Sequence, residues 1–350
     1  GAGILYVVDG SRPYGRQYEA EMEVLRWTGR PRMALINMIS AGDHVEEWRA
    51  ALAQYFSIVR VFDAVRADFA KRIDLLRAFG AIEEQWAAPL NRAADALTAE
   101  RARRTRRAAG EITDLLVEAL TATVTVPLPD RSAQSEALKG AREKLQELVR
   151  RRERQARRAV QEIYRHGDLE AREQAAAYLV DDVFSAESFN VFGLSGTQLA
   201  LTGAASGAVV GGVVDVALGG ASLLLGAGIG AAIGALGTVA GAGRLAKVEV
   251  LGLPLGGYEL NVGPITDPNL PWVLLGRALV HARLVAERNH ARREELVVDA
   301  QAEAHLADAI DAKSRRELDV AFRTLRAGRG IGGTEREAFV AQIAALIDVA

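Results

Sequence analysis

Asp9, Asn37 and Asp63 each close a short apolar run: Ile4 to Val8 leads into Asp9-Gly10, Met33 to Ile36 into Asn37, and Ile58 to Phe62 into Asp63. Polar side chains at the carboxyl ends of buried parallel strands stand where a doubly wound sheet opens its ligand crevice. These three are therefore the first candidates for binding chemistry. Other chemistries lack the spacing they need. His281, His290 and His305 lie among Glu287, Glu294, Glu295, Asp308 and Asp311, but no two of these histidines are three or four residues apart, as paired ligands on one helix must be. No metal site is expected. Ser195, in Gly193-Leu194-Ser195-Gly196, opens an apolar stretch instead of following a strand, so it forms no nucleophile elbow. The chain has no cysteine, which excludes disulfides, thiolate metal sites and cysteine nucleophiles and suits a reducing cytoplasm.

The elements that must position these residues are legible in the pattern around them. The three apolar runs are continuous and rich in β-branched residues, as strands buried on both faces of a parallel sheet are. A helical stretch from about Arg16 to Trp27 separates the first two. Asp43, with Glu46 three residues later, predicts a capping box for a helix reaching about Phe56. The βαβαβ order implies right-handed crossovers. Beyond the sheet the composition turns to Ala, Arg, Glu and Leu, and a helical pattern runs from Asp68 to Ala122. Val124 to Pro129, with prolines at 127 and 129, reads as an extended connection, and a second helical segment runs from Ser135 to Ser185. Arginines cluster at 101 to 107 and at 150 to 158, the latter interleaved with Glu143, Glu147, Glu153 and Glu162. Such interleaving predicts solvated helix faces and not a phosphate-binding stripe. A net charge of −2 likewise gives no general attraction to nucleic acid, and none is expected as a partner.

From Val191 to Gly243 the chain carries a single charge, Asp215. Gly219-Gly220 divides this stretch into apolar runs from Leu199 to Leu218 and from Ala221 to Ala242, each about 20 residues long and thus long enough to cross a bilayer as a helix. Gly203, Gly207 and Gly211 recur at every fourth position of the first run, and Gly226, Gly230 and Gly234 do so in the second. That spacing places small residues on one helix face, where two backbones approach closely. The expectation is a helical hairpin that enters a membrane, with a pair of helices buried inside a soluble domain as the competing reading. Lys247 to Leu253 and Tyr258 to Val262 alternate around Pro254 to Gly257 and predict a β-hairpin. From Trp272 to about Arg326 one long helix or two in series is expected, with Arg277, Arg283, Arg292 and Arg293 paired with nearby carboxylates or solvent. Thr334 with Glu337 predicts a capping box for a final helix.

The run Ile4-Leu5-Tyr6-Val7-Val8-Asp9 resembles the strand that follows the second switch of P-loop GTPases of the Era/TrmE-like kind. Ala34-Leu35-Ile36-Asn37 resembles the strand that delivers their guanine-recognition motif, Asn-Lys-x-Asp. Tyr-Val-Val-Asp-Gly, Leu-Arg-Trp-x-Gly-Arg-Pro and Leu-Ile-Asn together resemble a bacterial GTPase family with an uncharacterised, mostly helical C-terminal half interrupted by a glycine-rich apolar segment. The resemblance covers nearly the whole chain, but its departures matter. No Gly-x-x-x-x-Gly-Lys-Ser/Thr loop occurs in these residues, so the resemblance implies a phosphate site and switches upstream, and GTP with Mg2+ bound only by the full-length protein. In Asn37-Met38-Ile39-Ser40 the Asn is kept, while Met38 replaces the Lys and Ser40 replaces the carboxylate that accepts from guanine. Asn37, Ser40 and Asp63 are therefore candidates for a degenerate base site, Asp63 standing in without the motif's spacing.

The expected fold is α/β, a partial doubly wound parallel sheet forming the back half of a G domain, followed by a mostly α-helical domain with a glycine-rich helical hairpin and a small β-hairpin. The expected organisation is a GTPase-like part over 1–80, a helical stalk over 81–190, the apolar hairpin over 191–245, and the β-hairpin with long C-terminal helices over 246–350. Function follows as the distal portion of a membrane-associated GTPase, cytoplasmic and held at the inner membrane through 191–243. This chain alone should be catalytically inactive. The alternative is a non-enzymatic scaffold that oligomerises through its glycine faces. Self-association is open in either case, and the sequence names no partner protein.

Overall fold

The computed structural model describes residues 2–40, 42–63, 69–128, 134–164, 182–194, 238–241, 249–250, 253–254, 258–287 and 310–348. The chain is mostly helical with small sheets, an α/β mixture. It divides into two compact units, residues 1–103 with 287–294 and residues 104–286 with 295–350.

In the first unit β1 (Ile4–Asp9), β2 (Arg32–Asn37) and β3 (Ile58–Phe62) form a parallel sheet in the order β1-β2-β3. Crossovers run through α1 (Gln17–Trp27) and α2 (Val45–Leu52), and α3 (Phe69–Gly80) follows the third strand. The register pairs Asp9 with Asn37 and Asn37 with Phe62, so all three strands end at one level. Tyr6, Val8, Ala34, Ile36 and Val59 share one face, where they pack with Met22 of α1 and with Trp48 and Leu52 of α2. Both crossover helices therefore cover the same face, as sequential right-handed crossovers require. On the opposite face Met33 and Leu35 are buried, but Leu5 and Val7 of β1 are 45% and 54% exposed.

The limits of α2 differ from expectation at both ends. α2 ends at Leu52, short of Phe56, where the Tyr55 and Phe56 amides both turn back onto the Leu52 carbonyl. Its cap position is His44, one residue later than the predicted Asp43, and the Asp43 carboxylate instead accepts from the Val45 amide at 3.3 Å.

The second unit is organised around a helix that is buried nearly all round. This helix, Leu270–Glu287, is the seventh in chain order among those described, after α4 (Glu84–Thr121), α5 (Gln134–Tyr164) and α6 (Ala186–Phe192), and is called α7. Leu274, Leu275, Leu279 and Val280 belong to one buried core with Leu115 and Leu116 of α4 and Leu145 and Val149 of α5. Phe322 of α8 (Ala312–Arg326) and Ile343 of α9 (Gly333–Asp348) belong to the same core. Trp272, Phe322 and Phe339 meet edge-on in sequence, with centroids 5.0 and 6.1 Å apart. A helix apolar on every side has to be a core helix or a membrane span, and α7 is a core helix here. α9 begins at Gly333, so Thr334 lies inside its first turn and not at the predicted cap; α8 is capped by Asp311, whose carboxylate accepts from the Lys313 and Ser314 amides.

The strands of this unit depart furthest from expectation. β4 (Val124–Leu128), read from its prolines as a connection, is an edge strand, a position that tolerates proline. It pairs antiparallel with β8 (Tyr258–Val262), which also pairs with β5 (Thr238–Gly241), giving the order β4-β8-β5. Tyr258 to Val262 thus does not form the predicted hairpin with 247–253. Among the described residues β6 (Glu249–Val250) pairs with β7 (Leu253–Pro254). Thr238 to Gly241 is a strand where the apolar run to Ala242 predicted helix. The six striped glycines, Gly203, Gly207, Gly211, Gly226, Gly230 and Gly234, lie outside the described residues.

Candidate functional site

The carboxyl ends of β1 to β3 lie at one level, and the loops there interlock. Asp9 Oδ1 accepts from the Ser11 amide at 3.0 Å and from Ser11 Oγ, while Arg12 Nε lies 3.2 Å from Oδ2. The Ser11 hydroxyl, more than any other group, holds the Asp9 carboxyl below its ordinary range. Gly10 donates its amide to the Asn37 carbonyl at 2.8 Å and accepts from the His44 amide at 3.0 Å. A Cβ at Gly42 would stand 2.1 Å from the Ser11 carbonyl oxygen, so only glycine allows the two loops to come this close. Trp48 Nε1 then ties α2 to the Arg12 carbonyl at 2.8 Å.

The predicted base-site residues share this end of the sheet. Asn37 and Asp63 are half-buried at the ends of adjacent strands, and the Met38 amide donates to the Phe62 carbonyl. Ser40 lies in the loop beyond, exposed. An amide, a hydroxyl and a carboxylate thus lie in or just beyond the carboxyl ends of β2 and β3. Asp9 is occupied by its own turn.

A second polar constellation, in the helical unit, escaped sequence reasoning. Arg277 of α7 is 1% exposed and donates from Nε to Glu153 Oε1 of α5 at 2.6 Å and from Nη1 to Ser188 Oγ of α6 at 2.8 Å. Arg157 Nη2 reaches the same Glu153 oxygen at 2.7 Å. Burial alone would raise Glu153, but the two guanidinium charges hold it below its ordinary value. His281, one turn beyond Arg277, is buried with Nε2 3.2 Å from the Arg157 carbonyl oxygen. Burial, assisted by the Arg157 charge, pushes its pKa down to about 4, so it is neutral at pH 7. Glu153 is thus no part of a solvated face, and Arg277 finds its carboxylate far along the chain, not nearby. The available signal was Arg277 and His281 standing one turn apart in the apolar run from Leu270 to Ala282, since a charge there needs a buried partner. His290 and His305 lie outside the described residues, and among the described residues no three His, Asp or Glu side chains could hold a metal.

Among the described residues no helix is long and apolar enough to cross a membrane. The family model described as "Domain of unknown function (DUF3482)" matches residues 49–345. No curated protein and no solved structure matches the chain.

Proposed function

This chain belongs to the family described as a domain of unknown function, DUF3482, and on that premise we propose that it is the distal portion of a membrane-associated GTPase. In this reading β1 to β3 are the back half of a G domain, Asn37, Ser40 and Asp63 border a degenerate base site, and GTP with Mg2+ is held by the full-length protein. Residues 191–243 supply the membrane contact at the cytoplasmic face of the inner membrane. Nucleotide state is passed through the helices to that segment.

The observation that carries the reading is the half-covered parallel sheet. Its sequential strand order and one-sided crossovers are compatible with one βαβαβ half of a nucleotide-binding α/β sheet, and polar side chains at the carboxyl ends support the reading. β1 is an edge strand of uninterrupted apolar residues, yet it leaves Leu5 and Val7 exposed. Proteins ordinarily blunt such an edge with charge, proline or a covering element. A further βα segment laid on β1 would satisfy it, and the phosphate-binding half of a G domain is such a segment.

The test compares nucleotide binding by the full-length protein and by this chain. The full-length protein should bind GTP and this chain should not. Tight triphosphate binding by this chain alone would overturn the assignment of the phosphate site. Alkaline-carbonate extraction of membranes, with and without residues 191–243, tests the membrane part: the intact chain should stay in the pellet and the deletion should be released.

A further inference from the structure

The run Leu25-Arg26-Trp27-Thr28-Gly29-Arg30-Pro31 ends α1 and turns the chain into β2, and the turn accounts for most of its residues. Leu25 packs against the core of the first unit. Gly29 takes a φ of +63°, a left-handed exit that glycine permits, and its amide closes onto the Arg26 carbonyl at 3.3 Å. Thr28 Oγ1 donates to the Leu25 carbonyl at 2.7 Å, and the Pro31 carbonyl accepts from the Ile4 amide at 2.9 Å. Arg30 enters the turn through its backbone, with its amide donating to Thr28 Oγ1 at 3.3 Å, and its side chain stands exposed. The turn has no use for the Trp27 ring, which is 74% exposed.

That ring is nonetheless held in place. Trp27 Nε1 donates to Glu23 Oε1 at 2.9 Å, and Arg26 Nη2 bonds the same oxygen. Val24, one turn back on α1, is 56% exposed, and Glu21, a further turn back, is exposed with Oε2 accepting from the Tyr6 hydroxyl at 2.7 Å. A fixed indole facing solvent beside a second apolar side chain, with charges around it, has the composition of an interface centre. The surrounding charges are Glu21, Glu23, Arg26 and Arg30, two of each sign, so the patch has no net attraction for anionic lipid or nucleic acid.

We infer that this patch binds a second copy of the chain about a two-fold axis. Positions 21, 24, 27 and 30 read acid, apolar, aromatic and base at equal spacing. Laid antiparallel against itself, that order sets Glu21 opposite Arg30 of the second copy and Val24 opposite Trp27 of the second copy, and the symmetry makes each contact twice. The patch is thus its own complement in charge and in apolar surface. Trp27 and Val24 together present on the order of 250 Å² per copy against the about 800 Å² per partner of a stable complex, so the dimer is weak, with a Kd on the order of 10–100 μM. The inference uses only α1 and the turn after it and stands apart from the nucleotide and membrane readings.

Sedimentation equilibrium of the whole chain from about 2 to 200 μM spans that affinity and tests the pairing. Trp27→Ala, at an exposed position that leaves the fold intact, should weaken self-association by about tenfold or more. Arg30→Glu sets like charges opposite Glu21 at both ends of the interface and should weaken it by about fivefold. Adding Glu21→Lys to Arg30→Glu reverses both signs and should restore the parent affinity. A chain that stays monomeric throughout the range would overturn the inference. Association that Trp27→Ala leaves unchanged would overturn it too and place the contact elsewhere on the chain. A double variant no tighter than Arg30→Glu alone would overturn the antiparallel two-fold. If Trp27→Ala instead abolishes flotation with phosphatidylglycerol vesicles while association is unchanged, the patch faces lipid and the second copy is excluded as its occupant.

Discussion

Arg277 donates to Glu153 at 2.6 Å across 124 positions of sequence, and both side chains are out of water. The pair fastens α7 to α5 and, through Ser188, fastens the chain leading to residue 194. Glu153 serves two arginines, whereas losing Arg277 still leaves Glu153 with Arg157.

That asymmetry predicts unequal costs. Glu153→Leu removes the carboxylate shared by two guanidinium groups, that of Arg277 fully buried, and should destabilise the chain by about 3–5 kcal/mol. Arg277→Met leaves the carboxylate paired and should cost roughly half as much. Urea titration of both variants measures this, and equal losses would mean that Arg157 contributes nothing to the pairing.

His281 predicts the direction of the pH response. Its folded pKa, about 4, lies below the ordinary histidine value of 6.5, so between these limits the unfolded chain binds a proton that the folded chain refuses. Stability is therefore full above about pH 6.5 and falls as pH drops toward 4, by on the order of 3 kcal/mol. Glu153 acts in the same direction at lower pH: its lowered folded pKa gives a contribution present above the ordinary carboxylate range and lost on further acidification. His281→Gln should flatten the upper part of the profile, and urea midpoints between pH 7 and pH 4.5 read it directly.

The parallel sheet was legible because each strand is a continuous apolar run that needs only its own neighbours to be recognised; Ile58 to Phe62 is found residue for residue. β4 was not legible, since pairing Val124 with Val262 is a non-local choice and Pro127 reads locally as a break. Thr238 to Gly241 shows the same limit: small apolar residues fit helix and strand alike, and the partner β8 decides. At the sheet's carboxyl end the positions of Asn37 and Asp63 followed from strand order, while the turn that occupies Asp9 depended on Ser11 and Arg12, whose hydrogen bonds no periodicity reveals. The Glu153 and Arg277 pair was hidden because each has opposite charges nearer in sequence.

Asp319 marks a place where the fold bears a cost. Its carboxylate is fully buried, and its ion pair is with Arg323 on its own helix at 2.9 Å. Burial raises its pKa against the opposing charges of Arg323 and Arg326. A raised carboxylate favours the folded state at low pH and loses that advantage as pH rises through the folded value. Asp319→Asn should therefore stabilise the chain at pH 7 by about 1 kcal/mol and give no gain below pH 4. Thermal melts at the two pH values check this, and destabilisation at pH 7 would show that the charge is needed.

Ser40 allows the base site to be tested by gain of function. It is exposed in the loop that follows Asn37, so a substitution there should change stability by no more than about 0.5 kcal/mol. A carboxylate at this position would accept from the two guanine donors that a hydroxyl serves poorly, and adenine offers no matching pair. In the full-length protein Ser40→Asp should therefore raise the preference for GTP over ATP by roughly 10- to 100-fold, the range that one buried polar match provides. Competition binding with the two triphosphates measures the ratio. A ratio that Ser40→Asp leaves unchanged, in a protein that binds GTP, would remove residues 37–40 from the nucleotide site and move base recognition elsewhere on the sheet.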